Sequence, residues 1–558
     1  MEELLKNKIK EALQALGIED VLPALEFPAE LSHGDFSTNV ALVAAKNAKL
    51  SPKALAERIV DELGTIDGVE KIEVAGPGFI NFILPRAYFS NTILGIDEMW
   101  GENSVHYGKK IVVEHSSPNL FKPFHIGHVM NNAIGESMVR LMRFSGAEVA
   151  AISYPSDVSL GIGKAVWVIL NDGGVDKLRS IGGSVETLAY LGDCYVQGTK
   201  LYEENAEVAQ AMKQITSDLY EKKKGEAYRV YEEAKEINLA YFKTITSRLG
   251  STFDDFIFES EAGIEGTEIV RANTPAVFSE SQGAFIYEGE KDNLHTRVFI
   301  NKEGYPTYEA KDVGLLSLKF KKYNPALSIF VTDHEQEQYF KVVIAAAGKI
   351  KSEWKDKTVH VTHGRMTFKG KKMSSRLGGV PIAQTLVDSL FSEVAERAER
   401  LDAEKDWSSI NAIGVASLKY SILRAGCGKN IDFDPEQSLS FEGDSGPYLQ
   451  YSYVRAKSVL EKANSQHPTV SSQPEVLSQL ERLLPRFPHV VLRAQREFEP
   501  HFVTTYLTEL ASAFNSWYAN EKIIGGEHEA YKLALTRAFA QTMKNGLWLL
   551  GIAAPEKM

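Results

Sequence analysis

The sequence predicts an α/β protein: a parallel sheet with helical crossovers, preceded by a small α+β segment and followed by an all-α helical bundle. Three observations carry that expectation. Between Ile111 and Pro155, IVVEH, VMNNAIGESMVRLMRFSG and EVAAISYP read as strand, helix and strand, a βαβ unit. Before it, KIEVAGPGFINFIL (71–84) alternates in period two around Gly-Pro-Gly, as a hairpin does. After VPIAQ (380–384) strand patterns stop, and helical runs continue to Met558.

Residues 2–16 place apolar side chains every three to four positions, the signature of an amphipathic helix. HGDFSTNVALVAAKNAKLSP (33–52) supplies a turn, a helix and a proline stop; with the hairpin it completes a small α+β domain, residues 1–87. MWGENSVHYGKK (99–110) reads as a linker. The α/β region spans 108–384. Within it, residues 195–250, rich in charge at helical spacing, read as an insertion packed on the sheet, and strands resume at TRVFINKEGYPTY, ALSIFVTD and TVHVTHGRM. Helices fill 385–558, broken by the polar loop NSQHPTVSSQPE (464–475).

The 558 residues suffice for about three or four domains. A hydrophobic fraction of 44% and a charged fraction of 24% exclude a disordered or fibrous chain. The net charge of -12 argues against indiscriminate coating of nucleic acid, which wants a basic balance, but leaves room for a local basic site. With only Cys194 and Cys427, far apart, no disulfide framework or cysteine zinc site is expected, and a reducing cytoplasm fits. MEELLKNKIKEALQALGIED lacks the apolar core of a signal peptide, and no run approaches the length of a membrane span.

His125-Ile126-Gly127-His128 lies on a loop that follows a predicted parallel strand and opens a helix. Ligands of such sheets bind at the carboxyl ends of strands, and a helix start offers free N–H groups and a positive dipole end to an anion. Imidazoles three residues apart can project to one side, and Gly127 leaves room for a flat ring against the backbone. That suits a nucleotide with its phosphates beside two donors. A chance tetrapeptide, or a zinc pair lacking its other ligands, is the alternative.

KGKKMSSRLGG (369–379) lies where Arg365, Lys369, Lys371, Lys372 and Arg376 meet no acid between residues 361 and 384. Lysines beside small hydroxyl and glycine residues can hold a polyphosphate and neutralise charge during displacement at phosphorus. A solvated basic loop is the plainer reading. Among the acids, YEAKD sets Tyr308 and Asp312 at i and i+4 on one helical face, and FDDFIFES carries Glu259. DHEQEQYF carries Gln338, and SSPN (116–119) precedes the histidines. Each acid is by default a solvated surface group. Carboxylates are nevertheless what a guanidinium needs, through bidentate bonds that an ammonium matches poorly.

HIGH followed by KMSSR within one α/β region resembles the nucleotide-binding signature of class I aminoacyl-tRNA synthetases, whose second motif commonly reads KMSKS. The carboxylate segments narrow the resemblance to the arginyl-tRNA synthetase family. It covers nearly the whole chain: HGDFSTNVAL and AGPGFINF are similar to that family's N-terminal tRNA-elbow-binding domain, and FEGDSGPYLQYSYVRAKSVL and GLWLLGIAAPEKM to its helical anticodon-binding domain.

The resemblance implies a Rossmann-like catalytic domain with insertions. It implies an ATP site at His125, Gly127, His128, Met366, Lys372, Met373, Ser374 and Ser375, with His125, His128, Lys372 and Lys122 serving the chemistry. It implies an arginine site in which Ser117, Pro118, Asn119 and His128 hold the amino acid's α-amino and carboxylate end. Tyr308, Asp312 and Gln338 would line the side-chain pocket, with Glu259 a further carboxylate near the guanidinium. Four positions depart from the family pattern. Val129-Met130 stands where Leu-Arg is usual, Ser159 replaces a glycine, and Gly161 replaces a common glutamine, while Asp157 is retained. Many members have a degenerate second motif and use the lysine before HIGH; this chain has both Lys122 and KMSSR.

The implied reaction has two steps. The carboxylate of L-arginine attacks the α-phosphorus of ATP, with Mg²⁺ on the phosphates, and the 2′-hydroxyl of the tRNA's terminal adenosine then takes the arginyl group. Activation is expected to need bound tRNA. Aromatic and basic residues interleave at Tyr448, Tyr451, Tyr453, Arg455 and Lys457, a surface able to stack splayed anticodon bases, although at least half of the tyrosines are expected in the core. A cytoplasmic monomer without membrane association and without a protein-held metal is expected. The competing readings are a small-molecule adenylyltransferase of the HIGH superfamily and a non-catalytic tRNA-binding relative.

Overall fold

The computed structural model describes residues 1–28, 33–368, 383–400, 406–463 and 470–558. They fall into two compact units. The first combines Met1–Glu98 with Val459–Arg486 and Ala513–Gln541; the second holds Met99–Ser458, Phe487–Ser512 and Thr542–Met558. The helical region 385–558 is thus shared between the units.

In the first unit, helices Glu2–Ala15, Val40–Ala48 and Pro52–Leu63 share a core with the antiparallel hairpin Lys71–Ala75/Phe79–Ile83. The apolar stripe Leu5, Ile9, Ala12 and Leu13 buries itself there with Ile59 and Phe82. The turn expected before Val40 contains a third strand, Phe36–Thr38, paired antiparallel with Phe79–Ile83. Three residues are too few to show a period in sequence. Beside it, the Asp35 carboxylate accepts from the Leu84 N–H at 2.8 Å and pairs with Arg482.

The second unit is built on five parallel strands: β1 (Lys110–Glu114), β2 (Glu148–Ser153), β3 (Asp255–Phe256), β4 (Leu327–Asp333) and β5 (Thr358–His363). Their order is β5-β4-β1-β2-β3. Val112, Val113 and Ile329 are fully buried, as expected of strands covered on both faces. The chain leaves β1 toward β2 on one side, while β4 pairs on the other. Loops at the carboxyl ends of β1 and β4 therefore diverge and leave a crevice.

Helix α1 (Ile126–Arg143) connects β1 to β2, and thirteen of its eighteen residues are buried, so it is an internal helix rather than a surface one. Its far end is fastened to the chain's last segment: Ser137 donates to the Leu549 carbonyl at 2.8 Å and Arg140 to the Trp548 carbonyl at 2.9 Å. Helices α2 (Leu160–Asn171) and α3 (Ser184–Glu204), with Ala206–Tyr220 and Glu226–Arg248, form the helical insertion. Helices α4 (Glu259–Ala272) and α5 (Tyr308–Tyr323) cross at Gly266 and Gly314, where a Cβ would overlap backbone of the other helix. Helix α6 (Glu337–Ile350) follows β4.

Two expectations are corrected. TRVFINK does not join the parallel sheet. Arg297–Ile300 pairs with Ala284–Tyr287 and, through it, with Ser279–Ser281 in a separate antiparallel sheet, because Phe299 and Ile300 pack with Val313 and Leu316 of α5. Strand structure also does not end at 384: Ile431–Phe433 pairs in parallel with Met366–Phe368. Among the described residues, no helix is long and apolar enough to cross a membrane.

Candidate active site

The carboxyl ends of the five strands open on a cavity of about 650 Å³. Its wall takes Glu114 from β1, Tyr154 just past β2, Glu259 past β3, Asp333 from β4 and His363 from β5. Asn131 of α1 spans the point where the strand order reverses. Its Oδ1 accepts from the Ser116 N–H, and its Nδ2 donates to the Val331 carbonyl, both at 2.6 Å.

The histidine motif is not a loop. His125 caps α1, and Ile126, Gly127 and His128 form its first turn. The two imidazoles cap each other's backbone: His125 Nδ1 accepts from the Gly127 N–H at 3.2 Å, and His128 Nδ1 accepts from the His125 N–H at 3.1 Å. Both Nδ1 atoms are thereby acceptors, which assigns the ring protons to Nε2. The rings stack at 3.8 Å between centroids, and Phe124 stacks on His128 at 4.8 Å. Burial pushes His125 down to about 4, with Lys122 and His363 adding to the effect. Burial, then the charges of His125, His363 and Lys122, hold His128 well below its ordinary value. Two neutral Nε2–H donors therefore stand at a helix N-terminus on the cavity wall, an anion-binding arrangement. The room above Gly127 is taken by the His125 ring itself, since a Cβ there would meet its Cε1 at 3.0 Å.

Among the carboxylates that line the cavity, Glu114, Glu259 and Asp312 differ in their partners. Glu114 pairs with Lys319 at 2.8 Å. Glu259 pairs with Lys311 at 3.3 Å and accepts from the Ser156 hydroxyl; burial raises its pKa, opposed by Lys311 and Ser156. Asp312 accepts from the Tyr339 phenol and has no salt bridge among the described residues. Burial pushes its carboxyl up to about 8, helped by the charges of Glu114 and Glu259 and opposed by the Tyr339 hydrogen bond and Lys319. A buried acid without a cation is a place for a cationic ligand.

Of the residues singled out from sequence, Ser117, Asn119, His125, Gly127 and His128 reach the cavity wall after β1. Glu259, Tyr308 and Asp312 reach it from α4 and α5. Pro118 is buried outside the lining. Gln338 is exposed in the first turn of α6, while Gln336 and Tyr339 line the cavity. Lys122 is exposed, its ammonium 4.5 Å from the Tyr195 ring centre. Met366 is buried in its short strand. Asp157 sits apart from the cavity, bonded to Lys235, Tyr231 and Ser260. Lys372, Met373, Ser374 and Ser375 lie outside the described residues. The flanks of that segment meet the histidine motif: His363 lines the cavity, and the Ala383 N–H donates to the Phe124 carbonyl at 2.7 Å.

Sequence reasoning missed Asn131, Tyr154, Thr332, Tyr339 and His363 on the wall. Asn131 follows His128 by three helical positions, a spacing that could have found it. The others come together only through the strand order. In the helix Gly446–Ala463, Tyr453 is buried, Tyr448 half-buried and Tyr451 exposed. The Arg455 guanidinium lies 4.6 Å from the Tyr451 ring centre, and Lys457 pairs with Glu556.

Comparison with known proteins gives three consecutive family matches. Residues 3–84 match the arginyl tRNA synthetase N terminal domain, residues 91–434 the class I (R) tRNA synthetase catalytic domain, and residues 449–558 the DALR anticodon binding domain. The chain is 30% identical over 571 residues to the arginine–tRNA ligase of Clostridium perfringens, covering 100% of this chain and 99% of that one. It is 28% identical over 572 residues to that of Halothermothrix orenii, with the same coverage. The fold matches the Thermus thermophilus arginyl-tRNA synthetase with a TM-score of 0.82 at 22% identity, over 100% of both chains. It matches the Plasmodium falciparum enzyme with a TM-score of 0.79 at 19% identity, over 100% of this chain and 99% of that one.

Proposed function

As the chain belongs to the arginyl-tRNA synthetase family, and so joins L-arginine to tRNA using ATP, we propose that Asp312 receives the substrate guanidinium and that His125 and His128 hold the ATP phosphates. Asp312 carries this reading, as a half-buried carboxylate on the cavity wall with no salt bridge among the described residues, within one cavity of the paired imidazoles.

Arginine's carboxylate attacks the α-phosphorus in line and pyrophosphate leaves; the tRNA's terminal 2′-hydroxyl then attacks the carbonyl of the arginyl-adenylate, the bond to the phosphate breaks, and AMP and the hydroxyl proton leave. No protein nucleophile is needed, so the chain's work is positioning and charge stabilisation. The Nε2–H groups of His125 and His128 donate to phosphoryl oxygens as negative charge builds. Lys122 and Lys372, with Ser374 and Ser375, hold the β- and γ-phosphates. Mg²⁺ carried by the phosphates would neutralise part of their charge, its remaining ligands being mostly water. Ser117 and Asn119 take the amino acid's polar end, and Tyr308 and Tyr339 wall its side chain. On the tRNA side, Tyr448, Tyr451, Arg455 and Lys457 meet the anticodon; the exposed Tyr451 ring with its stacked Arg455 supports this. The state proposed for the chain is a monomer in a reducing cytoplasm, which its two free thiols suit.

ATP–pyrophosphate exchange with arginine, run with and without tRNA, tests the reading. A signal that requires tRNA is the expected result. A signal with a different acceptor would favour a small-molecule adenylyltransferase, and no signal a tRNA-binding relative.

A further inference from the structure

The glycine at 161, where the family commonly has glutamine, has a structural counterpart. Gly161 lies in the first turn of α2, which Ser159 caps by accepting from the Ile162 N–H at 3.3 Å. A Cβ at Gly161 would overlap the hydroxyl of Tyr195, which reaches in from α3. The same tyrosine ring carries the Lys122 ammonium, 4.5 Å from its centre. Three residues earlier on α3, Gly192 faces the next residue of that loop, where a Cβ would stand 3.6 Å from Pro123 Cδ. One face of α3 therefore seats the Lys122–Pro123 step that leads into His125. The Lys122 charge also helps depress the His125 pKa.

We propose that Tyr195 is a positioning residue for Lys122, its ring holding the ammonium beside the histidine motif, and that Gly161 is the space that lets the ring stand there. This rests on the reading that Lys122 stabilises phosphate charge. A lysine on a four-carbon stem samples many rotamers in solvent, and an ammonium over an aromatic face is restrained in direction without being neutralised. Lys122 is exposed, so the ring is a cradle rather than a buried clamp. The contact uses the ring face, while the hydroxyl abuts Gly161; the ring is the functional part.

The test is a double-mutant cycle in tRNA-stimulated ATP–pyrophosphate exchange, reading kcat, the KM for ATP and the KM for arginine. The variants are Lys122→Ala, Tyr195→Phe, Tyr195→Met, which removes the ring while keeping an apolar side chain, and Lys122→Ala/Tyr195→Met. Tyr195→Met is expected to lower kcat/KM for ATP by about threefold to fivefold, the scale of an exposed cation–π contact, leaving the KM for arginine unchanged. Tyr195→Phe should retain full activity. In the Lys122→Ala background, Tyr195→Met should cost nothing more. A loss on Tyr195→Met of the same size with and without Lys122, or a Tyr195→Phe variant as slow as Tyr195→Met, would overturn the positioning role alone. Unchanged kinetics for Lys122→Ala would overturn the lysine's phosphate role, and Tyr195's with it. Should Tyr195→Met fail to fold, Gly161→Gln, whose side chain would overlap the Tyr195 ring atoms as well as the hydroxyl and so move the ring from its seat, replaces it in the cycle with the same expected pattern.

Discussion

The phenol of Tyr339 donates a hydrogen bond to the Asp312 carboxylate on the cavity wall, joining the start of α6 to the first turns of α5. Burial pushes that carboxyl up to about 8. Below this pH most of the free enzyme holds a proton there, and the proton must leave when a guanidinium pairs with the carboxylate. Raising the pH from about 6.5 to about 8 should therefore tighten apparent arginine binding, by up to about tenfold per unit, and then level off. The KM for arginine across that range reads the effect.

Tyr339→Phe removes the donor that holds the Asp312 pKa down. The carboxyl should then titrate higher, and the KM for arginine near neutral pH should rise by about tenfold, the scale of one hydrogen bond to a charged group. The KM for ATP should stay within about twofold. An unmoved pH profile would show that the phenol does not tune this acid.

The reciprocal histidine caps make a different prediction. His125→Ala or His128→Ala each removes a preorganised donor, and activation should slow by about a hundredfold to a thousandfold. Because burial pushes His125 down to about 4, and His128 also titrates well below its ordinary value, kcat should show no histidine titration between about pH 6 and 8. A kcat that falls on a pKa near 6.5 would contradict neutral rings.

Much of this site was legible in the sequence because its signals are local. A strand, a histidine turn and an internal helix are contiguous, and Tyr308 and Asp312 share a face by spacing alone. What was not legible depends on partners far apart in the chain. That Glu114 and Glu259 have lysine partners while Asp312 has none follows from how α4, α5 and the sheet pack. Gln338 is exposed while its neighbour Tyr339 faces the cavity, because the helical phase starts at Glu337, which the sequence does not mark. The Phe36–Thr38 strand and the antiparallel sheet at Arg297–Ile300 were lost for similar reasons: short strands are placed by pairing, not by period.

In the first unit, the buried Glu481 carboxylate accepts from Arg86 and from the Tyr531 hydroxyl, each at 2.6 Å, and from the Ser478 N–H at 2.7 Å. Glu481→Ala would leave Arg86 without its carboxylate partner. The unfolding free energy of this unit should fall by about 3–5 kcal/mol in urea titration. A change below about 1 kcal/mol would mean that the network is replaceable by water.

The most direct test of the account is Asp312→Asn, assayed by ATP–pyrophosphate exchange with saturating tRNA. The amide keeps the shape and removes the charge. With the guanidinium paired to Asp312, kcat/KM for arginine should fall by about a hundredfold, the scale of about 3 kcal/mol for one close charged pair, while the KM for ATP stays within about twofold. An arginine KM that does not change, or arginine and ATP KM values that rise together, would contradict a guanidinium site at Asp312.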